Sequence, residues 1–145
     1  MSSQFLAIRD AVKAALLQTP ALASGHVLAG REVPLPTEHT QGIRVSLMRS
    51  RGELVALYGA ARQWQTPVIV HLLARAAAGV DAETAVDSLL ASTYARLDAM
   101  APPPGAVSVT LDPDIRWAVD EADQSVVTVT LALIVTHITT TSTLE

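Results

Sequence analysis

The run from Ile115 to Thr140, IRWAVDEADQSVVTVTLALIVTHITT, decides the fold. Ile115, Trp117 and Val119 fall on alternate positions, and the acidic segment Asp120-Glu121-Ala122-Asp123-Gln124 follows. Beyond it Val127, Val129, Leu131, Leu133 and Val135 share one parity, while Thr128, Thr130, Ala132 and Thr136 hold the other. Successive side chains of a strand point to opposite faces, so the pattern predicts a long antiparallel hairpin with one apolar and one threonine-rich face. The apolar face needs a cover; the threonine-rich face tolerates either water or another protein.

Two helical patterns can supply that cover. Phe5, Ile8, Val12, Ala15 and Leu16 recur at helical spacing with Arg9, Asp10 and Lys13 off the stripe. Ser2 or Ser3 can cap the start, and Thr19-Pro20 ends the pattern. Further on, Asp81 stands at an N-cap position with Glu83 in the first turn, where a carboxylate favours the helix dipole. Val86, Leu89, Leu90, Thr93, Leu97 and Met100 form the buried stripe of that second helix. Pro102-Pro103-Pro104-Gly105 stops it and acts as a stiff connector to the last strands.

Between the helices, Ser24-Gly25 turns the chain into a short strand near His26 to Leu28. Pro34, Pro36 and Gly42 make Val33 to Gly42 irregular. Ile43, Val45 and Leu47 alternate with Arg44, Ser46 and Met48, the period of a half-buried strand. The charged segment Arg49-Ser50-Arg51-Gly52-Glu53 reads as a loop projecting into solvent, and Leu54 to Tyr58 as either another strand or part of an extended arm. Trp64 to Leu73 reads as a strand with apolar residues on both parities, hence buried on both faces at least locally. Helix, strands, helix and hairpin together predict an α+β fold. Residues 1–145 form a single domain, an antiparallel or mixed β-sheet with two main helices packed on one face.

Composition narrows the function. A chain of 145 residues buries roughly 70% of its unfolded surface. Half of it is hydrophobic but only 3% aromatic, so the core is aliphatic. The mean hydropathy of +0.34 invites a membrane reading, but no apolar run approaches the roughly 20 residues of a spanning helix. Arg9, Asp10 and Lys13 interrupt the place of a signal's apolar region. The absence of cysteine excludes disulfides, thiolate chemistry and Cys-zinc sites, and fits a cytoplasmic protein. A net charge of -4 without a basic block argues against electrostatic capture of nucleic acid. Leu144-Glu145 reads as a cloning scar without structural meaning.

Few residues offer chemistry. His26, His39, His71 and His137 make no metal-ligand spacing, though His71 and His137 lie on strands and could meet across a sheet. Ser24-Gly25-His26 lacks the strained elbow of a serine nucleophile and reads as a turn, and no phosphate-binding glycine motif occurs. Asp112, Asp114, Asp120, Glu121 and Asp123 are acidic enough for a divalent cation but read more simply as solvated turns. Trp64 and Trp117 read as core or sheet-edge packing. Arg49, Arg51 and Glu53 fit a solvated tip and a partner-binding arm equally well, since exposed loops on rigid sheets often carry recognition.

The order of elements resembles a known family. The strand Arg62-Gln63-Trp64-Gln65-Thr66-Pro67-Val68-Ile69-Val70, the helix capped by Asp81, and the hairpin joining Arg116-Trp117 to Val127–Val135 through an acidic turn carry the likeness. They resemble the tail terminators of long-tailed bacteriophages and prophages, the group of the lambda minor tail protein U. The likeness spans roughly Phe5 to Thr139 as a pattern of elements, with no signature motif. It implies a structural protein without enzymatic activity or cofactor. Such proteins form a homo-oligomeric ring, typically a hexamer, monomeric when dilute. The ring sits on the end of the tail tube protein, stops its polymerisation and offers a surface to a head-completion protein. The implied location is the virion tail, and the host bacterial cytoplasm during assembly. Arg49, Arg51 and Glu53 are then the expected tube contact. Competing expectations are another neck or tail-completion component, a small α+β homodimer binding a ligand in an apolar pocket, and, third, an enzyme.

Overall fold

The computed structural model describes residues 3–30, 35–55, 61–120, 125–140 and 144. In chain order these form α1 (Gln4–Leu17), β1 (Val27–Ala29), β2 (Gln41–Leu47), β3 (Arg51–Leu54), β4 (Arg62–Arg75), α2 (Ala82–Asp98), β5 (Ala106–Leu111), β6 (Arg116–Val119) and β7 (Val126–Thr139). The architecture is α+β, two helices on a seven-stranded mixed sheet.

Alternation sets the length of the two central strands. β4 and β7 pair antiparallel along all fourteen residues of each, from Arg62 opposite Thr139 to Arg75 opposite Val126. Two shorter strands line each outer side of this ladder. β2 and β3 follow one another along β4, and β5 and β6 follow one another along β7. β1 extends the sheet beyond β2 in parallel, which makes it mixed. The predicted hairpin is present, with β6 antiparallel to β7; the acidic turn at 121–124 lies outside the described residues.

One face of the sheet is the core. Ile43, Val45, Val68, Val70, Leu72, Val129, Leu131, Leu133 and Val135 pack there against Ile8, Val12 and Leu16 of α1 and Val86, Leu89 and Leu97 of α2. Leu131 and Leu133 share it, as their common parity requires. The other face of β7 carries the half-buried Thr128, Thr130, Ala132 and Thr136, and that of β4 carries Ile69, His71 and Leu73. Ile69 and Leu73 are buried, so β4 is enclosed on both sides in its middle.

The helix ends are held in unequal ways. Asp81 caps α2, accepting from the Thr84 backbone N–H at 2.8 Å and the Thr84 hydroxyl at 2.7 Å. These bonds stabilise the carboxylate and hold its pKa below the usual value. Ser3 takes the N-cap position of α1 without a capping side-chain bond; the Gln4 N–H instead donates to the Leu144 carbonyl at 2.8 Å. Leu144 thus touches the start of α1. At the other end of α1, the Arg96 guanidinium donates to the carbonyls of Leu16, Gln18 and Pro20 at 3.2, 2.9 and 2.8 Å. A cation there satisfies carbonyls that the helix leaves free and joins α2 to the end of α1.

The segment 49–53 departs from expectation. Arg51 to Leu54 are not a projecting loop but strand β3, which pairs with β4. Leu47 faces Val68 and Arg51 faces Gln65, so this flank spends one residue more than β4 over the same stretch, the count of a β-bulge. The bulge lies opposite Thr66-Pro67. The Val55 N–H bonds the Ala61 carbonyl at 3.2 Å, so the alternation of strand bonding turns the odd-numbered residues of β4, Pro67 among them, toward β3. Proline has no N–H to give, and the chain breaks its ladder where that donor is missing.

Candidate assembly surface

Arg49, Arg51 and Glu53 are all exposed. Arg49 sits in the bulge, while Arg51 and Glu53 stand two apart on β3 beside Gln65 and Gln63 of β4, forming a small polar patch with them. Arg51 and Glu53 thus stand on a strand edge where the sequence suggested a loop. Gly52 lies between the two charges under the Trp64 indole; a Cβ at this glycine would fall 2.6 Å from the ring, so only glycine fits.

Beneath the bulge runs a chain of polar side chains. The Ser50 and Thr66 hydroxyls are 3.0 Å apart, Thr66 Oγ1 lies 2.8 Å from His137 Nε2, and His137 Nδ1 lies 3.2 Å from Gln4 Oε1. One proton arrangement satisfies all of these contacts: Ser50 donates to Thr66, Thr66 to the ring nitrogen Nε2, and the Nδ1–H to the Gln4 carbonyl oxygen. Phe5 stands edge-on to both His137 and Trp64 at 5.0 and 5.2 Å, and the Trp64 N–H donates to the Thr139 hydroxyl at 3.0 Å. His137 is wholly enclosed, and burial lowers its pKa, which keeps the ring neutral near pH 7. His137 shares the parity of Leu131, Leu133 and Val135, which was the one sequence signal of its burial. Its partners on α1, β4 and the bulge had no such signal.

His71 and His137 do not meet. His71 belongs to the face opposite the helices, in register with Arg44 and Thr130, and its Nδ1 lies 3.1 Å from the Thr130 hydroxyl. Burial, and then the Arg44 charge, lower the His71 pKa; burial lowers that of Arg44, which Asp120 counters. An open groove crosses this face, lined by Met48, Ile69, His71, Arg116 and Ala132 among others, with Met48 62% exposed. Asp112 accepts from the Asp114 N–H at 2.9 Å and Asp114 pairs with Arg116 at 3.1 Å, so these acids serve their own turn and strand.

The other singled-out residues lie apart. Ser24, with Ala23 at φ 54° and 50°, forms a tight turn before β1. His26 stacks on His39 with ring centroids 3.6 Å apart, beside an apolar cavity of about 150 Å³ lined by Leu28, Leu35, Ile43 and Leu73. Trp64 packs as expected, whereas Trp117 is 46% exposed. Among the described residues no three histidines or acids gather as a metal site, and no helix is long and apolar enough to cross a membrane.

Solved structures share this arrangement of helices and sheet. The same fold occurs in a virion. One chain of the virion of the native gene transfer agent (GTA) particle superposes with a TM-score of 0.60 at 15% identity, covering 91% of this chain and 95% of that one. A second solved chain, which carries no functional description, superposes with a TM-score of 0.53 at 17% identity over 93% and 96%. No family model matches the sequence, and no curated protein does. At these identities the likeness is one of fold.

Proposed function

We propose that this chain is a structural protein of a phage or phage-like virion, and within it the tail terminator. It assembles as a ring, a hexamer, on the end of the tail tube, arrests polymerisation and presents a surface to the head-completion protein. The observation that supports this reading is the near end-to-end match in fold with a chain of a GTA virion. The proposed role is non-enzymatic, requires no cofactor, and places the protein in the virion tail after assembly in the host cytoplasm.

The surface is consistent with assembly. Charged side chains on a strand edge can dock without ordering the backbone, because the bulge and the buried polar chain already fix the backbone beneath them. Arg49, Arg51 and Glu53 are the tube contact in this proposal. Another neck or tail-completion role shares the same support and differs only in what the ring caps.

Polymerisation of the cognate tube subunit in the presence of the protein tests the role. Electron microscopy should show tubes blocked at one end and shorter on average. Tube growth unaltered by the wild-type protein removes the terminator proposal. Replacing Arg49, Arg51 and Glu53 together by alanine should leave the fold intact and weaken capping; capping that survives removes only the contact assignment.

A further inference from the structure

The outer edge of β3 carries an arrangement of its own. The Val55 N–H bonds the Ala61 carbonyl, and antiparallel bonding alternates along a strand. Arg51, Glu53 and Val55 therefore turn their backbone groups toward β4, while Gly52 and Leu54 turn theirs outward. Among the described residues no strand pairs with that outer edge. Its four residues are all exposed, with Leu54 at 64%. Protected edges are short, carry a proline, a bulge or charged side chains, or are covered by another element. β5 has a register irregularity between Ala106 and Ser108, β1 is three residues long, and β6, four exposed residues like β3, holds Arg116 without an acidic residue in the same strand. β3 is likewise short, four residues behind its bulge, and carries the charges Arg51 and Glu53, which differ in sign.

That difference decides what fits. We infer that β3 pairs antiparallel with β3 of a second copy of this chain, around a two-fold axis at Gly52. In this register the two Gly52 residues exchange their outward N–H and C=O groups. Arg51 then stands opposite Glu53 of the second copy, and Glu53 opposite its Arg51, on the same sheet face. These are non-hydrogen-bonded positions of the new pair, where side chains come closest, and opposite charges there attract. The sequence Arg-Gly-Glu is thus self-complementary under a two-fold, which is the requirement of an isologous interface. Within the subunit neither Arg51 nor Glu53 has an ion-pair partner among the described residues, so both are available. Glycine at the axis leaves no Cβ between the two backbones, and Trp64 of each copy covers its own Gly52 from the helix side. The interface is small and the dimer correspondingly weak.

The inference does not rest on the terminator reading, although self-pairing would occupy two of the residues proposed to touch the tube. Sedimentation equilibrium of the full chain at low salt, from micromolar to millimolar, is the test. Wild-type protein should show a reversible monomer–dimer equilibrium. Arg51→Glu and Glu53→Arg each place like charges opposite one another at both positions and should raise the dimer Kd at least about tenfold. The double exchange Arg51→Glu with Glu53→Arg should restore it, and an equimolar mixture of the two single variants should form a heterodimer. A strict monomer throughout overturns the inference, as does a closed ring without a dimer. So does a dimer indifferent to either single reversal, which would lie elsewhere on the surface. Unchanged circular dichroism of each variant separates these outcomes from unfolding, and none involves tail tubes.

Discussion

From Val68 to Leu72, β4 faces β7 through aliphatic side chains on the core side, with Val129, Leu131 and Leu133 opposite; from Trp64 to Thr66 the same two strands present an indole, a hydroxyl and the imidazole of His137. The aliphatic half needs only area and volume, so it tolerates exchange among apolar residues of similar size. The polar half needs directed partners from four places at once: Gln4, Ser50, Thr66 and His137. A buried polar chain is rigid when complete and costly when broken. That rigidity lies directly under the bulge and the β3 edge, which carry the exposed charges. The soft requirement builds the fold, and the strict one fixes its surface.

The largest loss of stability is expected in the aliphatic half. Leu131→Asp puts an unpaired carboxylate in a fully enclosed site and should cost about 4 kcal/mol or more, or prevent folding. Thr130→Asp, one residue away on the other face, places its charge beside His71 and opposite Arg116 and should change stability little. Thermal melts of the two variants measure the contrast; equal losses would show that the two faces are equally closed.

The polar half should respond next. His137→Ala removes the ring and orphans both Thr66 and Gln4, with an expected loss of about 2–4 kcal/mol in urea unfolding. Arg96→Met keeps much of the side-chain volume but frees three carbonyls at the end of α1, and about 1–2 kcal/mol should be lost.

Acid sharpens the difference between the halves. His137 and His71 have pKa values lowered in the fold, so the unfolded chain binds their protons more readily. Their contribution is complete above the unfolded imidazole value of about 6.5 and is lost as pH falls below it toward the folded values. The groups facing His137 are Gln4, Phe5, Ser50, Trp64, Thr66 and Ala106, none of them charged, so nothing compensates its protonation. Tm measured from pH 7.5 to 5 should fall in the wild type, and less steeply in His137→Gln. The smallest effect belongs to the surface: Asp81→Ala removes an exposed cap, and α2 should fray with a slight fall in Tm. That cap weakens only as pH drops through the lowered carboxylate pKa, well below the histidine range.

Much of the fold was legible in period and punctuation. The parity of Val127 to Val135 placed a strand and its core face, and the stripe from Val86 to Leu97 with Asp81 before it placed a helix. The same period-two signal runs through Ile43 to Leu47 and Val68 to Leu72 and marks the core-facing residues, although Ser46 and Ile69 on the opposite parity are buried as well. These readings succeed because side-chain direction in a regular element depends on local spacing alone. Local spacing also identified Arg49, Arg51 and Glu53 as exposed, since charged side chains seldom enter an aliphatic core unpaired.

What escaped was every feature requiring two distant segments. Arg51 to Leu54 has a charged, glycine-broken sequence that reads as a loop; it is a strand because β4 runs past the core and offers it a ladder. The bulge before it answers a proline on another strand, and the cap on α1 comes from an arginine 76 to 80 residues away in sequence. By itself the sequence determined which residues turn inward and which helices could cover them, because hydrophobic period is a property of neighbours. Only the tertiary structure decided which strands lie at the sheet's edges and which polar groups meet beneath β3. Hydrogen bonds between remote segments depend on register and layer packing, and no local pattern encodes either.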